Sequence, residues 1–223
     1  MRIAVLVAAA ALLAGCSSAP DSQPSSSSST AASTTSKAPT SPRTSTPGAP
    51  PAAGAAIADV IAWIEAGKPA DAATYESVTL DGVSTPIENG VAFTTAGTEA
   101  NCVTNKYQDG ALACLVKLTS PPPRPPDFPT AWKDNWVDFY GTSVDVGSPH
   151  GDPGPFGEGT GAVLPAGRTL AFGDYRCRAD AAGLFCVDYA HQTGIKLAPE
   201  GVEGFGCLQK TTPPPEIGLR LSC

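Results

Sequence analysis

Asn101 to Val116, NCVTNKYQDGALACLV, and Arg176 to Ala190, RCRADAAGLFCVDYA, repeat one pattern. In each, a cysteine is followed by a polar run containing glycine, then a leucine, one further residue and a second cysteine, with β-forming residues behind. An apolar-Ala-Phe run precedes each copy, Val91-Ala92-Phe93 before the first and Leu170-Ala171-Phe172 before the second. A repeat that carries its own strand points to a duplicated β unit rather than to chance cysteine spacing. A glycine turn between two cysteines places them side by side on adjacent strands. Each copy therefore reads as a disulfide-bridged hairpin. Redox centres use Cys-x-x-Cys, and structural zinc sites use close cysteine pairs with histidines; this chain has neither arrangement, and its only histidines are His150 and His191.

The flanking sequence agrees with a mainly β fold. YESVTLDGVSTPIENGVAFTT, from Tyr75 to Thr95, alternates strand-like runs with Asp81-Gly82 and Asn89-Gly90, and Asp109-Gly110 follows inside the first cysteine segment. These dipeptides favour hairpins, because both central residues of a type I′ turn need positive φ. Trp132 and Trp136 introduce another strand-like run, WVDFYGTSVDVG, and GIKLAPEGVEGFGC leads toward the terminal Cys223. One helix is expected, at the start of the domain: in AIADVIAWIEAGKPADA the residues Ile57, Val60, Ile61 and Ile64 share one face. Gly67 can take a left-handed C-terminal position, Pro69 blocks continuation, and Trp63 falls at the edge of the apolar face. The proline block SPPPRPPDFP reads as an extended surface crossover. The glycine- and proline-rich stretch from Ser148 to Gly167 reads as a long loop, a common place for function. The expected fold is a small disulfide-stapled antiparallel β domain with a repeated Cys-bridged hairpin and one N-terminal helix.

Before residue 57 the composition is different. MRIAVLVAAAALLAGC has one cation, Arg2, and an apolar run from Ile3 to Ala14 that is too short to span a bilayer, so it reads as a signal-peptide core. Leu13, Ala14, Gly15 and Cys16 resemble the bacterial lipobox. That resemblance implies cleavage after residue 15 and a diacylglycerol on the Cys16 sulfur, with an acyl chain such as palmitate on the new amino terminus. Two or three chains anchor a protein far better than one, at about 0.8 kcal/mol per buried methylene. Residues 16–56 are rich in Ser, Thr, Ala and Pro and lack the apolar residues needed to fold, so they read as a tether. A flexible chain of roughly forty residues spans on the order of 35 Å. Residues 57–223 then form the globular domain.

Of the seven cysteines, Cys16 is assigned to lipid and six remain for disulfides outside the cytoplasm. Six cysteines allow 15 pairings. Sequence alone does not settle which forms, but the sequential set is expected: Cys102 with Cys114 and Cys177 with Cys186, each pair flanking a glycine turn, and Cys207 with Cys223. The whole chain carries 14 Lys and Arg against 21 Asp and Glu. Three of those cations precede residue 57 against a single acid, so the domain is more acidic than the whole, which disfavours nucleic acid as a partner. No Gly-x-Ser-x-Gly elbow, phosphate-binding glycine loop or His-Glu-x-x-His segment occurs. Asp134 and Asp138 stand four apart, and Asp145, Asp152 and Glu158 border the long loop, but no nucleophile, base and oxyanion donor come together. No catalytic residue, metal ligand or cofactor is assigned.

LAFGDYRCRADAAGLFCVDYAHQTGIKLAPEGVEGFGC, with AFTTAGTEANC and ALACLV earlier, resembles a family of small actinobacterial exported lipoproteins, the mycobacterial LppI-type lipoproteins. The resemblance implies an outward-facing lipoprotein held on the cell membrane. It carries no activity and therefore no catalytic residue. The expected function is a non-catalytic tethered module for an unidentified envelope ligand or protein, with the long loop and the tryptophans as first candidates. A second expectation is a binder resembling the small disulfide-stapled lysozyme inhibitors, since a basic target suits an acidic domain. A third is an envelope hydrolase using Asp134, Asp138 or His191.

Overall fold

The computed structural model describes residues 48–105, 107–126, 128 and 131–223. The segment expected to be a signal peptide, 1–15, the expected lipidation site Cys16 and the expected tether as far as residue 47 lie outside the described residues. Helix α1 is Ile57–Glu65. The strands in chain order are β1 Lys68–Pro69, β2 Ser77–Leu80, β3 Val83–Pro86, β4 Ala92–Thr94, β5 Asn101–Asn105 and β6 Ala111–Leu115. They continue with β7 Trp132–Phe139, β8 Ser143–Pro149, β9 Ala162–Val163, β10 Arg168–Phe172 and β11 Tyr175–Asp180. The last are β12 Gly183–Asp188, β13 Thr193–Ala198, β14 Gly201–Phe205, β15 Gln209–Thr211 and β16 Leu219–Ser222. A six-stranded sheet runs β1-β10-β11-β12-β13-β14, an eight-stranded sheet runs β15-β16-β8-β7-β6-β5-β4-β9, and β2 and β3 form a two-stranded sheet, with Thr79 of β2 also bridging to Thr160.

The repeat seen in the sequence is larger than a hairpin. Strands β4 to β8 form one antiparallel meander and β10 to β14 form another, one in each sheet. Cys102 lies opposite Cys114, and Cys177 opposite Cys186, with Cα atoms 4.1 Å apart in both bridges. That spacing belongs to the narrow cross-strand pairs of an antiparallel ladder, where facing side chains come closest. Cys207 joins Cys223, so all three expected bridges form. The equivalence of the preceding strands differs from the repeat pattern in the sequence by two residues. Phe93 faces Cys102, whereas Leu170, not Phe172, faces Cys177. A slip of two keeps the same face of a strand, so the pattern matched although the register did not.

Each meander also borrows a short parallel strand that precedes the other one. Strand β1, upstream of the first meander, pairs with β10 of the second; β9, which leads into β10, pairs with β4 of the first. This exchange ties the two sheets together at one edge. It demands close approach: a Cβ added to Gly161 would lie 2.1 Å from the carbonyl carbon of Ala92.

The two sheets face each other across one core. Phe93, Leu112, Phe139, Val144 and Leu221 from one sheet meet Leu170, Leu184, Ile195 and Leu197 from the other, together with the cysteines of the Cys102–Cys114 and Cys177–Cys186 bridges. Fully burying an aliphatic or aromatic side chain of this size contributes roughly 1.5–3 kcal/mol. The outer face of the six-stranded sheet is covered by α1, whose Val60, Trp63 and Ile64 pack on Phe185, Val187 and Phe205. The outer face of the larger sheet is covered in part by Val78, Ile87 and Phe156 against Ala92, Val103 and Ala113.

Three local expectations are corrected. Trp63 is buried within the helix face, its ring 4.8 Å from Phe185 and beneath the Arg178 guanidinium, while Ile57 and Ile61 sit at the margin. Gly67 does not adopt positive φ; it is needed because an added Cβ would meet the Thr169 hydroxyl, which donates to the carbonyl of Ile64 at the helix end. Asp81-Gly82 and Asp109-Gly110 form turns with positive φ at both residues, but Asn89-Gly90 does not, and β3 and β4 do not pair. Strand β4 is drawn instead into the larger sheet by β5 and β9.

Candidate functional site

The long loop and the tryptophans do not form an open binding surface. Within Ser148–Gly167, Pro155 is buried in a short 3-10 turn, Phe156 sets its ring 4.8 Å from Trp136 edge-on, and β9 joins the sheet. Trp136 is 1% exposed and stacks on His150 with ring centroids 3.5 Å apart. Nε2 of His150 is 2.9 Å from the Ser148 hydroxyl, and burial lowers the His150 pKa. Asp152 accepts a hydrogen bond from the Gly154 amide and so shapes the loop turn. Asp134 and Glu158 are exposed. Among the described residues no group of three or more His, Cys, Asp or Glu is placed to hold a metal ion.

The carboxylate that Asp138 meets is Asp145, directly opposite on β8, rather than Asp134. Both are buried, at 2% and 5% exposure. Arg220, opposite Asp145 on β16, grips both its oxygens at 2.6 Å. Asp138 has less support. Its Oδ2 accepts from the Trp136 indole N–H at 2.9 Å, and its Oδ1 is buried without a hydrogen-bond partner. Burial, assisted by the facing Asp145 charge, raises the Asp138 carboxyl from 3.8 to about 6 against the opposing pull of Trp136 and Tyr140.

A carboxyl whose folded pKa is raised holds its proton more tightly in the native state, so stability falls as pH rises from about 4 to about 6. At roughly 1.4 kcal/mol per pKa unit the loss is on the order of 3 kcal/mol and is complete above that window. Asp138→Asn is therefore expected to unfold at higher urea than the parent at pH 7 and at the same urea below pH 4. Denaturation series across that range measure the difference, and equal pH profiles would refute the assignment.

A second place gathers polar groups that the sequence did not connect. Where the sheets part at one end of the sandwich, a cleft of about 640 Å³ opens. Turns from both sheets line it: Asp109 and Gly110 from β5–β6, Gly173 and Asp174 from β10–β11, Asp188 and His191 from β12–β13, and Tyr140 at the end of β7. Glu76 and Ala72 close one side. The base is fixed by hydrogen bonds between the sheets, Tyr175 hydroxyl to the carbonyl of Phe139 at 3.0 Å and Thr193 hydroxyl to the carbonyl of Gly141 at 2.6 Å. Phe172 and Tyr175 stack with centroids 5.6 Å apart. Burial raises the pKa of both Tyr140 and Tyr175, with nearby Asp138 and Asp145 adding to the first and Asp188 to the second. Both hydroxyls thus stay protonated at neutral pH.

Of the charged residues that line the cleft, Asp188 is the most buried. It follows Leu184 and Cys186 on the inward-facing side of β12, so a charge stands where the alternation calls for an apolar residue. Its Oδ1 accepts from the backbone amide of His191 at 3.0 Å and lies 3.1 Å from Nδ1 of the same residue. Gly141, at φ +82°, leaves room beside the pair: an added Cβ would lie 2.5 Å from Nδ1 of His191 and 2.6 Å from Oδ2 of Asp188. Of the candidate residues read from the sequence, only His191 lines this cleft. The break in alternation at Asp188 was the one local signal for it, because the other lining residues come from turns far apart in sequence.

Fold and cleft together define a disulfide-bridged double-meander β sandwich with a ligand-sized opening at one end. Comparison with protein-family models, with curated proteins and with solved structures finds no match.

Proposed function

We propose that this chain is an LppI-type lipoprotein, anchored through lipid at Cys16 on the outer face of the cell membrane, that acts as a non-catalytic binding module with its ligand in the sandwich-end cleft. The observation that carries the binding role is the construction of that cleft. Its walls come from turns, where side chains are free to serve a ligand, and its base is held by paired strands and cross-sheet hydrogen bonds. The anchoring role rests on the leader and Cys16 in the sequence, and the buried disulfides suit an oxidising compartment. Among the described residues no helix is long and apolar enough to cross a membrane.

The test uses the chain from residue 17 onward, which lacks the lipidated cysteine. Solubilised envelope fractions from the native cell are titrated into the isotope-labelled protein. Chemical-shift changes concentrated at Gly110, Gly173 and His191, and lost in Gly173→Trp, support the reading. Binding that spares these residues, or no binding from any fraction, overturns it.

A second reading, a lysozyme-inhibitor-like protein binder, is favoured by the carboxylates Glu76, Asp109 and Asp174 at the cleft mouth, which suit a basic target. Its check is lysozyme turnover with the soluble chain added. Full activity at micromolar chain counts against it.

A further inference from the structure

Resting on the cleft as the binding site, we infer that its ligand enters as a cation, presenting a primary ammonium or guanidinium group to Asp188 at the base. Asp188 is 4% exposed, and both contacts that His191 makes with its side chain fall on Oδ1. Oδ2 has no hydrogen bond among the described residues, yet Asp188 lines the cleft. A carboxylate so withdrawn from bulk water gains from a further donor, and a group entering the cleft that Asp188 lines can supply one. Three further carboxylates, Glu76, Asp109 and Asp174, stand at the mouth, and no Lys or Arg occurs among the described lining residues. Clefts lined by one sign of charge focus the field and draw in the opposite charge. Phe172 and Tyr175, whose rings stack on each other, line the same cleft and add aromatic surface, which suits a cation. An anion would meet four carboxylates, and a neutral polar ligand would leave their charge unanswered.

The probes are 1,5-diaminopentane and agmatine, with 1,5-pentanediol and glutarate as neutral and anionic controls. Each is titrated into the chain from residue 17 onward and followed by chemical shift and calorimetry. The expected result is binding by one or both cations, with shifts at His191 and Gly173, and none by the controls. Asp188→Asn should weaken that binding at least tenfold. Because Asp188 also fixes the His191 turn, the exposed pair Glu76→Gln and Asp174→Asn provides the second variant, expected to weaken binding about threefold and to flatten its salt dependence. Controls that bind as well as the cations overturn the cation inference and leave the cleft reading intact. Failure of both cations to move any cleft residue overturns it as well, and the envelope titration then decides the cleft reading separately.

Discussion

Replacing Cys102, Cys114, Cys177 and Cys186 together by alanine is expected to lower folding stability by about 6 kcal/mol. Each bridge closes a short loop, with sequence separations of 12 and 9, worth about 3 kcal/mol in the chain-entropy treatment. Both bridges lie in the shared core, so their sulfurs also fill space between the sheets. A loss of that size approaches the total stability of many domains, and the four-cysteine variant should be largely unfolded at 37 °C. Urea unfolding of each single-bridge variant should show about 3 kcal/mol. A loss below 1 kcal/mol in both would mean that the hairpins hold their register without the bridges. The third bridge offers an internal contrast: Cys207 and Cys223 are exposed, so mild reductant should open it first and leave the core closed.

Trp136→Ala is expected to cost about 4–5 kcal/mol at pH 7. The ring is buried between His150 and Phe156, and truncating a buried aromatic to alanine typically costs about 3–5 kcal/mol. The change also removes the indole hydrogen bond to Oδ2 of Asp138, a buried carboxylate whose other oxygen already has no partner. That second component has a pH signature. Without the indole donor the Asp138 pKa rises further, so the deficit should be smaller at pH 4, where the group is protonated, than at pH 7. Trp136→Phe keeps most of the ring and loses the donor, so its deficit at pH 4 should be small and its deficit at pH 7 clear. A deficit independent of pH in both variants would show that Asp138 is not supported by Trp136.

Much of the fold was legible because its signals are local. Asp81-Gly82 and Asp109-Gly110 carry their own backbone preference, and a glycine turn between cysteines fixes its partner strand within a dozen residues. Asn89-Gly90 has the same local preference and failed as a hairpin signal, since β4 gains two partner strands in the larger sheet that β3 could not offer. The two-residue slip between the repeats was hidden for a related reason. Alternation tells which face a residue occupies, not which neighbour it faces.

The candidate site was much less legible. Asp134 and Asp138 looked like a pair by spacing, yet strand pairing gave Asp138 to Asp145 and left Asp134 in solvent. The long loop looked open by composition, yet its glycines serve close packing, Gly161 against Ala92 and Gly154 against Trp136.

By itself the sequence determined the β class, the N-terminal helix and the duplicated unit, and favoured the three bridges that the structure then showed, because turn preference, period-2 alternation and short loop closure act over neighbouring residues. The tertiary structure alone decided that each meander takes its parallel edge strand from ahead of the other, that Asp138 is buried against Asp145, and that Glu76, Asp109, Tyr140, Asp174 and Asp188 share one cleft. Those outcomes depend on how two sheets stack and where they part, which is set by the whole core at once and written in no single stretch of the chain.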